Sequence, residues 1–263
     1  IHRDLVMGAV DAGADTIVFA LPNPSTISLT TDVRITDDLR IEGPGRSALT
    51  LTNPTSRVLD VDAGSLYVES LTIADAGANA IVFTSPADSV QLDDMTISDS
   101  ANHALNVMSA SSVTVTNSEL TNSRPLGFSG DGIQARNVTG NVFIEDVIAS
   151  GNEDGFEIAD VGGVVTLRRV TSASSLDEGA DVQRVGGVVI ESSTFDFDND
   201  QVDLDFVSGT VLITDSTFSG AAIDDGLEIS NVAGGAVVSG STVSGSAQAG
   251  VWIGGDTTPT SVL

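Results

Sequence analysis

The sequence has no cysteine and no lysine, and only one tryptophan and one tyrosine among its 263 residues. Without cysteine there can be no disulfide, thiol nucleophile, Cys-ligated zinc or iron–sulfur cluster. Basic residues are scarce: ten, all arginine, stand against 28 Asp and 9 Glu, a net charge of −27. That balance excludes nucleic acid and anionic membrane as partners, because both are held by Lys and Arg displacing counterions. No apolar run reaches the roughly 20 residues needed to cross a bilayer, so no membrane insertion by this segment is expected. Apolar residues themselves are plentiful. With 41% hydrophobic residues and a mean hydropathy of +0.20, the chain can build a core despite its charge.

The core is organised by an internal repeat. Eight segments align on a shared pattern, beginning at Leu66, Val90, Val113, Val142, Val165, Val188, Val211 and Ala236. Their third residues, Val68, Leu92, Val115, Ile144, Leu167, Ile190, Ile213 and Val238, fall 24, 23, 29, 23, 23, 23 and 25 positions apart. Apolar first and third positions alternate with polar ones, the period of a strand with one buried face. A two-residue polar corner such as Glu69-Ser70 or Asp93-Asp94 follows, then a second short strand, then a third after a Gly or Asn turn. Three short strands per roughly 23 residues make one rung of a parallel β-helix. Residues 14–61 continue the pattern with about two more rungs.

The expected fold is therefore all-β: a right-handed parallel β-helix solenoid of about ten rungs over residues 14–255. Residues 1–13 read as a short amphipathic helix covering the open end of the stack, as terminal rungs of a solenoid require. Residues 256–263 read as a linker or the start of a continuation beyond Leu263. The first residue is Ile and no signal-peptide pattern is present, so a processed or excised piece of a longer polypeptide is expected. The six-residue insertion Arg124-Pro-Leu-Gly-Phe-Ser129 is expected to leave the solenoid as a loop.

Asp11-Ala-Gly-Ala-Asp-Thr-Ile-Val-Phe19, Leu39-Arg-Ile-Glu-Gly-Pro-Gly45 and the repeated Ser-Thr-Phe rungs resemble the right-handed parallel β-helix proteins of the pectate-lyase-like superfamily. More narrowly, the chain resembles secreted bacterial repeat proteins that form parts of surface or adhesin-like polypeptides. The resemblance covers essentially the whole chain. It implies an extracellular or cell-surface location, with an extracellular glycan or another surface protein as partner. That superfamily holds polysaccharide lyases, hydrolases, epimerases and non-catalytic stalks alike. Asn152-Glu-Asp-Gly-Phe-Glu157 and Asp224-Asp-Gly-Leu-Glu228 faintly resemble the acidic motifs of polygalacturonases, but their Gly-His-Gly and Arg-Ile-Lys motifs have no counterpart here.

Aligning the third strands places one outward residue per rung in a column: Val82, Asn106, Gln134, Glu157, Asp181, Asp203, Glu228, Trp252. A second column runs at the preceding turn: Asp131, Asp154, Glu178, Asp200, Asp225. An Asp before Gly suits β-turn chemistry, the carboxylate accepting local amides and the Gly taking a positive φ. The same nine carboxylates can instead be plain solvated surface, or candidate Ca²⁺ ligands, since calcium takes six to eight oxygens. Glu157, Asp181, Asp203 and Glu228 are also the candidates for acid–base catalysis, because adjacent rungs bring carboxylates to roughly 5 Å, near the spacing of retaining glycosidases. Trp252, Asn106 and Gln134 are candidate ligand contacts, Trp252 by stacking on a sugar. Arg168 and Arg169 are expected in a charge-compensating stack between Glu145-Asp146 and Glu191. His103 reads as a surface turn residue.

Overall fold

The computed structural model of the protein describes residues 15–123, 130–196, 198–257 and 261–262. Among these, 27 strands join in one continuous parallel sheet that winds through about ten turns. The alignment read from the sequence is the register of the fold. Val68, Leu92, Val115, Ile144, Leu167, Ile190, Ile213 and Val238 stack as one column, each paired with the next. Two further rungs precede them: Asp15–Val18 pairs with Leu39–Glu42, Ser25–Ser28 with Leu49–Asn53, and Val33–Ile35 with Leu59–Val61. No described residue is helical, and the helical cap expected over residues 1–13 lies outside the described residues, so the structure gives it no support. The insertion at 124–129 lies outside them too. Within 256–263, Ser261–Val262 pairs with Val237 and Val238 and so opens a further rung.

The central rungs turn the chain by single residues held at positive φ. In one rung, Val211–Thr214 ends at Asp215 (φ 50°), Thr217–Ser219 ends at Gly220 (φ 77°), and Leu227–Ser230 ends at Asn231 (φ 51°). The corners form three columns. The first holds Ser70, Asp94, Asn117, Asp146, Arg169, Ser192, Asp215 and Gly240, and the third holds Asn137, Asp160, Arg184, Phe206, Asn231 and Gly255. Asn, Asp and Gly tolerate this left-handed region best, which explains the polar corners of the repeat. The sheet ladder survives the bend, because corner amides still bond to the next rung: Asp146 N–H donates to Arg168 O at 3.1 Å and Arg169 N–H to Glu191 O at 2.9 Å.

Inside, rungs stack like on like. The apolar columns are fully buried, and Phe195 and Phe218 lie parallel with ring centroids 5.4 Å apart. Burial of each such side chain contributes roughly 1.5–3 kcal/mol. The serine of the Ser-Thr-Phe motif has a separate task. Ser193 Oγ accepts the Val170 amide at 3.2 Å and donates to Glu191 O at 2.9 Å, and Ser216 Oγ accepts the Ser193 amide at 3.1 Å and donates to Thr214 O at 2.8 Å. Ser118 and Ser241 repeat the arrangement. These hydroxyls satisfy amides that the first corner lifts out of the ladder, so that both groups of each pair are satisfied.

Candidate functional site

Register brings the expected acids together on one outer face. Asn106, Gln134, Glu157, Asp181, Asp203, Glu228 and Trp252 follow one another on paired strands, one residue per rung. Neighbouring strands lie about 4.8 Å apart, so each carboxylate meets the next at roughly that spacing. Within this column Asn106 and Gln134 are almost covered, whereas Trp252 is 42% exposed. The turn column runs alongside, with Glu178 paired directly to Asp200.

The turn column departs from the β-turn reading. Its carboxylates accept amides of the following rung: Asp154 Oδ1 takes the Glu178 N–H at 3.0 Å, Asp131 Oδ1 the Asp154 N–H at 3.4 Å, and Asp225 Oδ1 the Ala249 N–H at 2.6 Å. The glycines after these acids do not adopt positive φ. They are required by proximity: a Cβ on Gly155 would lie 2.4 Å from Gly179 O, and one on Gly179 would lie 2.5 Å from Gln201 O. The close packing of rungs at this turn, and not the conformation of a turn, selects glycine.

At the upper end of the face the two columns merge. One oxygen from each of Asp131, Asp154 and Glu157 lies within 4.8 Å of the others, and Asp154, Asp177 and Glu178 form a second such group. Asp131 and Asp154 are 2% and 9% exposed. Gln134 Nε2 donates to Asp131 Oδ2 at 3.3 Å and also to Glu157, which takes a further hydrogen bond from Arg136. His103 packs into the same corner: its Nδ1 accepts the Asp131 N–H at 3.1 Å and lies 3.0 Å from Asp131 Oδ2. His103 is thus a part-buried partner of the cluster and not a surface residue; the 29-residue rung containing the insertion obscured this in the sequence.

Electrostatics follow from burial and from like charges in register. Burial, then the charge of Asp131, pushes Asp154 well above the usual carboxylate range, and burial, then Asp177, raises Glu178. Asp203 is pushed up to about 7 by burial and by Glu228 and Asp181. Burial raises Asp181 to about 6 against the hydrogen bond from Gln183, and burial with Asp224 raises Asp200 to about 6. Glu228 is raised by burial and Asp225. Asp181 Oδ1, Asp200 Oδ1 and Asp203 Oδ1 are shielded and accept no hydrogen bond from the described residues. Each of these oxygens therefore lacks a donor among the described residues, which a bound ion, a proton or water would supply.

Two further columns on this face escaped the sequence reading. Beyond the acidic column stand Arg136, Ala159, Gln183 and Asp205, and then the corner residues Asp160, Arg184 and Phe206. Strict alternation beyond the third strand's first residues would have located the former. The latter occupy corners where Arg and Phe are atypical. Arg168 and Arg169 take the expected position elsewhere: Arg168 Nε donates to Glu145 Oε1 at 2.6 Å, Arg169 Nε to Asp146 Oδ1 at 2.8 Å, and Glu191 pairs with Arg168 on the next rung.

Comparison with known proteins supports the fold. A family described as a right handed beta helix region matches residues 57–262. No curated protein matches the chain. Among solved structures, the Geobacillus virus E2 ORF18 protein superposes with a TM-score of 0.53 at 14% identity, over 92% of this chain and 53% of that one. Pectate lyase Pel9A gives 0.49 at 15% identity, over 95% and 68%. The A-module of Azotobacter vinelandii mannuronan C-5 epimerase AlgE4 gives 0.40 at 10% identity, over 91% of each. At 14% identity the likeness to the ORF18 protein is one of fold alone. With the family match spanning most of its rungs, the chain belongs to the right-handed parallel β-helix family.

Proposed function

We propose that the chain is a rigid β-helix segment of a secreted or cell-surface protein that binds divalent cations, Ca²⁺ foremost, along its acidic face and presents that face to an extracellular glycan or another surface protein. One observation carries the reading: in-register carboxylates of two columns, partly buried, meet Arg136 and His103 at the Asp131–Asp154–Glu157 corner, while shielded oxygens of Asp181, Asp200 and Asp203 lack a donor among the described residues. The donor set fits a hard cation, since it is made of oxygens and calcium takes six to eight of them at 2.3–2.6 Å. Asp131, Asp154 and Glu157 would hold the ion, with Asp177 and Glu178 at the second group. Extracellular calcium modules work at about 10⁻⁴–10⁻³ M, which matches the proposed location. Thermal melts in EDTA, in millimolar CaCl₂ and in NaCl of equal ionic strength test this. A calcium-specific rise in Tm supports site binding, and equal shifts in both salts contradict it, because screening is indifferent to the ion.

A second reading, a polysaccharide lyase or glycoside hydrolase, is favoured by Asp203. Its carboxyl is pushed up to about 7, so it can carry the proton a general acid needs near neutral pH, and it stands one rung from Glu228 at about the spacing of a retaining pair. Asp203→Asn and Glu228→Gln decide between the readings. Turnover of a uronate or neutral glycan that either change lowers by 10³-fold or more identifies an enzyme; absence of turnover in the wild-type chain leaves the stalk.

A further inference from the structure

Phe206 is the one described corner residue with a large apolar side chain. Its φ is 53°, a region that disfavours bulky residues, and its side chain is 56% exposed. Corresponding corners in neighbouring rungs are the polar residues Asp160, Arg184 and Asn231. A strained aromatic held out in water gains nothing for the core, and such outliers persist where function requires them. Asp205 holds it in place: its Oδ1 accepts the Phe206 N–H at 2.9 Å and Asn231 Nδ2 at 2.7 Å.

The ring borders a shallow, open depression of about 400 Å³ on the surface. Exposed Arg184, Phe206 and Ser208 line it with Gly162 and Gly186, while Val161 and Val185 beneath them are 2% exposed and belong to the core. Gly186 answers to rung packing, for a Cβ there would lie 2.4 Å from Gly163 O of the preceding rung. The Arg184 guanidinium is a fixed plane, bound through Nε and Nη2 to Asp160 at 2.7 and 3.1 Å and through Nη1 to Gln183 at 3.0 Å. An exposed aromatic ring beside a fixed guanidinium plane, with polar edges, suits the apolar face and peripheral hydroxyls of a pyranose ring. Charge selects among sugars. The arginine is already neutralised by Asp160, Asp205 adds a negative charge beside the ring, and the chain carries −27. An anionic uronate would be repelled.

We infer that Phe206 and Arg184 form a stacking subsite for a neutral pyranose of a glycan. The inference deepens the glycan-contacting part of the proposed function and rests on it. Calorimetric titration of the full chain with neutral gluco-, manno- and xylo-hexaoses, beside a hexauronate, tests it, with ring-proton shifts of Phe206 followed by NMR. At least one neutral hexaose is expected to bind and to shift the Phe206 ring, and Phe206→Ala to weaken it tenfold or more. Phe206→Asn should lose binding equally while keeping or raising Tm, since Asn suits the corner, and Phe206→Tyr should retain it. Binding by Phe206→Asn within twofold of wild type overturns the subsite alone. Preference for the hexauronate overturns its selectivity for neutral sugars, and binding of no glycan at all overturns both the subsite and the glycan reading.

Discussion

Carboxylates repeat at the same rung spacing at the first corner and on the acidic face, yet the two regions reach opposite states. At the corner, Arg168 and Arg169 alternate with Glu145, Asp146 and Glu191, and the hydrogen bonds from the arginines hold Glu145 and Asp146 below the usual carboxylate range. On the face, Glu157, Asp181, Asp203 and Glu228 follow one another without a cation between Asp181 and Glu228, and Asp181, Asp203 and Glu228 are all raised. A parallel stack amplifies whichever choice the sequence makes. Because residues meet their counterparts at about 4.8 Å, alternating signs compensate and repeated signs accumulate.

The widest test of this contrast is pH. A carboxyl raised in the folded chain keeps its proton where the unfolded chain, titrating near 4, has lost it, so the folded state binds more protons and stability falls as pH rises. For Asp181, Asp200 and Asp203 that window runs from about pH 4 to about 7. The corner acids act oppositely, contributing stability above pH 4 that is lost on acidification. In EDTA, stability should therefore peak near pH 4–5 and fall on the order of 3 kcal/mol by pH 8, after allowance for solvent screening. Urea melts across this range check it; a plateau from pH 5 to 8 would remove the contrast.

Breaking the corner should make it resemble the face. Arg168→Met with Arg169→Met leaves Glu145, Asp146 and Glu191 uncompensated, and is expected to cost about 1–2 kcal/mol at pH 7 in low salt, with most of the loss recovered in 0.5 M NaCl. A loss unaffected by salt would point to packing of Arg168 on Phe143, whose ring it covers at 5.3 Å. Relieving the face has the smallest effect: Asp203→Asn should stabilise by about 1 kcal/mol at pH 8 and by much less at pH 5, where the carboxyl already carries its proton. Equal effects at both pH values would assign the change to local packing.

Much of this was legible beforehand, for a physical reason. A solenoid repeats one environment, so the 23-residue period encoded rung, register and the nine-acid columns at once. What escaped lay where the repeat is silent. Gly155 and Gly179 answer to the approach of the next rung, a distance that local turn chemistry does not contain. His103 sits beside Asp131 across the rung lengthened by the insertion, so spacing could not pair them. Arg136 and Gln183 lie one alternation beyond the aligned segments, and Phe206 occupies a corner whose residue type argues against a corner.

The central claim is that the acidic face holds protons which a divalent cation displaces. A pH-stat titration of the chain with CaCl₂ at pH 7, against NaCl at matched ionic strength, measures this directly. Saturable release of about one proton or more per bound Ca²⁺, diminished in Asp203→Asn and in Asp154→Asn, is the predicted result. Release that is absent, or that NaCl reproduces in full, would contradict it.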